Sequence, residues 1–212
     1  MKFRSIAVEG PIGVGKTSFV ELLVKKFEAN RVLEQVDNPF LRDFYHDKPG
    51  TAFQTQLFFL LSRYRQLLDL KQRDLFRQVT ICDYIFPKDK IFAYLNLDDS
   101  ELMIYDKLYA LLEPQVPKPD LVIFLQADTS RLMERIRRRK RDYESEISEA
   151  YVNEVNKAYN YFFFNYTATP LLVINTSEID FVHQENDLDE LVSQIRKMER
   201  GVQYYRPLGS SA

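Results

Sequence analysis

The sequence predicts an α/β fold, a five-stranded parallel sheet with helices on both faces. Three observations lead there. Ile6-Ala7-Val8 runs through a glycine-rich turn into the amphipathic stretch Phe19–Phe27, giving strand, turn, helix. Short apolar runs then alternate with helical patterns along the chain, the signature of a doubly wound sheet. Leu121-Val122-Ile123-Phe124-Leu125 is apolar throughout, as a parallel strand buried on both faces must be.

The elements follow in order. Arg31-Val32-Leu33-Glu34 reads as a second strand ending on a carboxylate. After Asp37-Asn38-Pro39, the spacing of Leu41, Phe44 and Tyr45 predicts a helix that Lys48-Pro49-Gly50 breaks. From Ala52 to about Arg77, Phe53, Leu57, Leu60, Leu61, Tyr64, Leu67, Leu68 and Leu70 predict a long helix. Gln56 and Arg63 lie two turns apart on it and share a face. Val79–Cys82 is a third strand with Asp83 at its carboxyl end. Pro87-Lys88-Asp89 opens a helix, and Asp98-Asp99-Ser100 caps another. Leu121–Leu125 is the fourth strand, and Asp128 or Thr129 caps a helix that runs into Arg135-Ile136-Arg137-Arg138-Arg139-Lys140-Arg141. An aromatic-rich helix over 148–166, a fifth strand at Leu171–Ile174 and a helix over 188–198 complete the pattern. Residues 207–212 read as a loose tail.

Composition limits what this chain does. It has 212 residues and a formal net charge of −2, which suits a single domain and argues against a general nucleic-acid binder. One cysteine, Cys82, excludes an internal disulfide and fits a reducing cytoplasm. No run reaches the ~18 apolar residues of a membrane span. His46 and His183 stand apart from any metal-ligating companions.

Chemistry concentrates at Gly10-Pro11-Ile12-Gly13-Val14-Gly15-Lys16-Thr17, the G-x-x-x-x-G-K-T spacing of a phosphate-binding loop, with Ser18 on the first turn behind it. Glycines let successive N–H groups curl around phosphate oxygens at a helix N-terminus. Lys16 is predicted to reach the β- and γ-phosphates of ATP, and Thr17 to ligate Mg²⁺. Asp83, at a strand end where open sheets bind ligands, is the second candidate for the metal. The arginine run suits a lid over about 135–146, bringing positive charge onto a transferring phosphate.

Together these residues resemble the deoxyribonucleoside kinase family, over nearly the whole chain. The resemblance implies a P-loop kinase fold with strand order 2-3-1-4-5. It implies that Glu34 activates the 5′-hydroxyl and that Tyr45 holds the 3′-hydroxyl. Gln56, Arg63 and Asp89 resemble the set that reads the base edge, with Phe59 bulkier than the small residue of several relatives. Arg135-x-x-x-Arg139-x-Arg141-x-x-Glu144 is similar to the lid signature: the arginines would meet the donor's phosphates and adenine, and Glu144 the 3′-hydroxyl. By the same resemblance a homodimer is expected, packed through long helices. One departure stands out. The family places arginine after the acidic residue that ends strand three, and here the triplet is Asp83-Tyr84-Ile85. Lys88 is the candidate substitute, as a cation without arginine's bidentate fork.

The expected activity is ATP-dependent phosphorylation of a deoxynucleoside 5′-hydroxyl in nucleotide salvage. Deoxyadenosine is favoured, with deoxyguanosine and deoxycytidine also within the reach of a base set that accepts an exocyclic amine. Two other readings compete: a nucleoside monophosphate kinase of thymidylate type, and a non-catalytic P-loop module that binds nucleotide without transferring phosphate.

Overall fold

Alternating apolar side chains send successive residues to opposite faces of a strand, and the two faces are covered here by different helices. The structure, a computed structural model, describes residues 2–34, 37–46, 48–73, 79–139 and 147–207. Its strands are β1 (Ser5–Glu9), β2 (Asn30–Val32), β3 (Thr80–Cys82), β4 (Leu121–Gln126), β5 (Leu171–Asn175) and β6 (Val202–Tyr205). All pair in parallel, in the order β2-β3-β1-β4-β5-β6. The expected order holds for the first five strands. The sixth corrects the expected count: β6 adds to the free edge of β5, with Leu171 opposite Val202 and Ile174 opposite Tyr205.

The helices are α1 (Lys16–Phe27), α2 (Leu41–Tyr45), α3 (Thr51–Arg73), α4 (Asp89–Asn96), α5 (Asp99–Leu112), α6 (Thr129–Arg139), α7 (Glu149–Phe164) and α8 (Glu185–Lys197). On one face, Ile6 and Val8 of β1, Ile123 and Leu125 of β4, and Leu172 and Ile174 of β5 pack against Val20 and Leu23, Leu132 and Ile136, and Leu191 and Ile195 from α1, α6 and α8. On the other, Ala7, Val122, Phe124 and Val173 meet Ile91 of α4 and Tyr159 and Phe163 of α7. Phe124 stacks on Phe163 with ring centroids 4.2 Å apart. A third apolar cluster joins Val32 and Cys82 to Leu60 and Leu67 of α3 and Tyr105 and Tyr109 of α5. Burying each such side chain stabilises the fold by roughly 1.5–3 kcal/mol.

Local signals set several boundaries. Asp98 caps α5, accepting from Ser100 and Glu101 N–H groups while Glu101 reaches back to the Asp98 N–H, a complete capping box. Ser148 caps α7 through the Tyr151 N–H. The second strand is shorter than the sequence suggests: β2 stops at Val32, so Glu34 lies two residues past the pairing instead of ending it. The segment opened by Pro87 is first a 3₁₀ turn, Phe86–Lys88, and then α4. The lid residues Arg141 and Glu144 and the tail 208–212 lie outside the described residues.

Candidate active site

The carboxyl ends of the parallel strands converge on one cavity of about 770 Å³, within the size range of small-molecule sites. One end is the loop between β1 and α1. Gly13 and Gly15 take φ of +84° and +101°, a conformation that favours glycine. A Cβ on Gly13 would fall 2.7 Å from the Leu132 carbonyl oxygen and 2.8 Å from Ile136 Cγ1, so the loop lies directly on α6. Ile12 through Ser18 line the cavity. Gly10 and Pro11 contribute carbonyl oxygens that accept from the Lys16 ammonium at 2.6 and 3.1 Å. Burial, followed by the nearby Lys88 charge, pulls Lys16 down to about 8. Phosphate oxygens are stronger acceptors than carbonyls and would compete for this ammonium.

Thr17 and Asp83 come together where α1 starts and β3 ends. The Thr17 hydroxyl donates to Asp83 Oδ2 at 3.2 Å, and Asp83 Oδ1 accepts the Glu34 N–H at 2.6 Å. A hydroxyl and a carboxylate side by side at a phosphate loop are the hard oxygen donors that suit Mg²⁺, an ion that keeps several waters. Among the described residues, no group of three or more His, Cys, Asp or Glu side chains could hold a metal by itself. Any ion here would therefore share its coordination with phosphate and water.

The other end of the cavity is a buried charge network. Arg63, 5% exposed on α3, bridges Glu34 and Asp89. Its Nε donates to Glu34 Oε1 at 2.7 Å, and its guanidinium lies 4.8 Å from the centre of the Phe59 ring. Lys88 Nζ donates to the other oxygen of Glu34 at 2.7 Å. Burial opposes charge on Glu34, but Arg63 and Lys88 more than offset it and hold the carboxyl at about 2. Burial prevails at Asp89, which is fully enclosed and raised to about 6 despite Arg63 and Lys88. Gln56, one end of whose carboxamide has no hydrogen-bond partner, lines the cavity beside Tyr45 and Phe59.

The sequence-predicted residues thus divide. Glu34, Tyr45, Gln56, Phe59, Arg63, Asp83 and Lys88 face the same cavity as the phosphate loop, with Asp89 joined through Arg63. Gln56 and Arg63, on one face of α3, are both buried. Arg135 and Arg139 line the cavity from α6. The Arg135 guanidinium donates to the Thr176 carbonyl at 2.9 Å and the Val14 carbonyl at 3.2 Å, so it braces the phosphate loop against β5.

Two parts of the site escape the sequence reading. The segment Ser177–Val182, after β5, walls the loop end of the cavity, where Phe181 packs edge-on against Phe19 and beneath Gly15. The rule that ligands sit beyond strand carboxyl ends could have found it. Glu9, inside the core at the end of β1, accepts from the Ile85 N–H at 2.8 Å, the Gly10 N–H at 3.2 Å and the Tyr159 hydroxyl at 3.4 Å. A carboxylate interrupting an apolar run just before a phosphate loop was its signal.

Known proteins resemble this chain along most of its length. The chain is 34% identical over 199 residues to deoxyguanosine kinase of Bacillus subtilis, covering 91% of this chain and 96% of that protein. It is 35% identical over 182 residues to deoxyadenosine kinase of Dictyostelium discoideum, covering 82% and 72%. The solved structure of deoxyadenosine kinase from M. mycoides with the products dCMP and dCDP bound superposes with a TM-score of 0.79 at 26% identity, over 91% of this chain and 99% of that one. Residues 6–199 match the model of the deoxynucleoside kinase family, and the chain belongs to that family.

Proposed function

We propose that this enzyme moves the γ-phosphoryl group of ATP to the 5′-hydroxyl of a deoxynucleoside bearing an exocyclic amine, with deoxyadenosine favoured over deoxyguanosine and deoxycytidine. The observation that carries this reading is the single cavity that runs from the Lys16 loop to the Glu34–Arg63–Asp89 network. Such transfer depends on positioning and on charge set around the moving phosphoryl. Glu34 orients the hydroxyl and takes its proton. Lys16 and the loop N–H groups hold the donor phosphates, with Arg139 and Arg141 on the lid side. Tyr45 and Glu144 would hold the sugar. Gln56, Arg63 and Asp89 combine donors and acceptors, which suits an amine-bearing base edge over that of thymine. Thr17 and Asp83 would hold Mg²⁺, which when bound neutralises charge on the β- and γ-phosphate oxygens.

A thymidylate-type acceptor would need cations for its own phosphate. Tyr84, not a cation, follows Asp83, and Arg63 already bridges two carboxylates, which disfavours that alternative. We read the whole chain as one domain with its lid over about 135–146, and the enzyme as cytoplasmic. No helix among the described residues is long and apolar enough to cross a membrane. We also read it as a homodimer, on the support of Leu61 on α3 and Met103, Ile104 and Leu111 on α5, which are large apolar side chains exposed to solvent.

The test is ATP turnover with Mg²⁺ across a panel of nucleosides. ADP release only on addition of a deoxynucleoside, with kcat/KM highest for an amine-bearing base, is expected. Thymidine as the best substrate would contradict the base assignment.

A further inference from the structure

The acceptor end of this site lacks an arginine after Asp83, yet charge in flight needs fixed donors on that side as well. Tyr84 occupies the position, 1% exposed; its hydroxyl donates to Gln66 Oε1 at 2.6 Å, and it is not among the residues that line the cavity. Lys88 is placed differently from a surface lysine. It closes the turn Phe86–Lys88, which is anchored by Phe86 stacking on Tyr109 at 5.1 Å. Only 3% of its side chain is exposed, and Nζ enters the cavity at Glu34 Oε2.

Burying an ammonium is costly unless opposite charge surrounds it. Glu34 supplies the first such charge and Glu9 the second, and together they outweigh burial and raise Lys88 above the ordinary lysine range. Glu9 is fully enclosed. One of its oxygens accepts from Gly10, where the phosphate loop begins, and the other from Ile85, three residues before Lys88. The same carboxylate therefore ties the donor loop to the segment that carries the acceptor-side cation.

We propose that Lys88 is the catalytic cation on the acceptor side, shared between Glu34 and the transferring phosphoryl group, and that Glu9 is the positioning residue that holds Lys88 in register with the phosphate loop. The inference rests on the deoxynucleoside kinase reading above. A 5′-hydroxyl donating to Glu34 Oε2 shares that oxygen with Nζ, which has two further N–H donors for phosphoryl oxygens. In the transfer, the bond from the γ-phosphorus to the β–γ bridging oxygen breaks and its electron pair leaves with ADP. The bond from phosphorus to O5′ forms, and the hydroxyl proton passes to Glu34. Lys88 stays protonated and moves only its hydrogen bonds.

The test is a double-mutant cycle on the full chain, using the best nucleoside from the panel with saturating ATP and Mg²⁺. Lys88→Met keeps the length of the stem and removes the charge. It is expected to lower kcat by on the order of 100-fold, the loss seen for one transition-state donor, while nucleoside KM changes by less than ~3-fold. Glu9→Gln keeps the shape and is expected to lower kcat by about 10-fold in the parent and by less than ~2-fold once Lys88 is gone, since Glu9 acts on the transfer by positioning Lys88. Thermal melts check folding, and Lys88→Gln is read in the same way if Lys88→Met does not fold. A charge-removed variant with kcat within ~3-fold of the parent, an effect below ~1 kcal/mol, overturns the role of Lys88. An equal Glu9→Gln loss in both backgrounds overturns the positioning role. A parent that turns over no nucleoside overturns the functional reading itself, before any variant is made.

Discussion

Replacing Arg63 by methionine removes the cation that Glu34 and the buried Asp89 share. Glu34 keeps Lys88 as a partner, but Asp89, fully enclosed, loses its ion pair. Breaking one side of a buried pair costs about 3–5 kcal/mol, and the structure shows how that sum is composed. With Arg63 present, Asp89 sits at about 6 and is mostly ionised at pH 7. Without Arg63 the carboxyl rises further and takes up a proton, which at pH 7 forfeits about one pH unit of binding, or ~1.4 kcal/mol. Losing charge-assisted hydrogen bonds to Glu34 and Asp89 adds roughly 1.5–3 kcal/mol. For a chain of this size the melting temperature should fall by roughly 6–20 °C. At pH 5 the parent's Asp89 is itself protonated, so the gap between parent and variant should narrow by ~1.4 kcal/mol. Urea titrations at pH 7 and pH 5 measure both quantities. A loss under ~1 kcal/mol at pH 7, or a gap that widens at pH 5, would refute the shared-cation reasoning.

Other expectations follow from the same geometry. Lys16→Ala should lower kcat by more than ~10²-fold with an unchanged melting temperature, because among the described residues Lys16 donates to the Gly10 and Pro11 carbonyls of the loop alone; normal turnover in a folded variant would sink the kinase mechanism. Gly13→Ala should cost at least ~2 kcal/mol from its left-handed backbone and the Leu132 and Ile136 contacts, with kcat/KM falling alongside; a melting temperature equal to the parent's counts against the observed packing of the loop on α6. In Asp89→Asn, the stability-versus-pH curve between pH 7 and pH 4.5 should flatten. The parent's Asp89, raised above its ordinary value, makes the native state bind its proton more tightly, so that part of the stability grows as pH falls through about 6. An unchanged slope in chemical denaturation would show that another group titrates there.

Much of this protein was legible in its sequence, because the signals are local. Glycine spacing fixes the phosphate loop, the 3.6-residue period puts Gln56 and Arg63 on one face of α3, and continuous apolar runs mark β4 and β5 as buried strands. By itself the sequence determined the strand–helix alternation, the loop at Gly10–Thr17 and a carboxylate, Glu34, at the second strand, though that strand stops two residues before it. Only the tertiary structure decided the rest, since it depends on which strand ends meet. β6 went unread because Val202-Gln203-Tyr204-Tyr205 is a half-exposed edge strand without an apolar run, held by the free edge of β5. Lys88 and Glu34 are 54 positions apart and meet because β2 and β3 are neighbours in the sheet. In sequence, Glu9 simply follows the apolar run Ile6-Ala7-Val8. Folding surrounds it with the Ile85 and Gly10 N–H groups and with Lys88, and that through-space environment makes a buried carboxylate tolerable and gives it its place in the site.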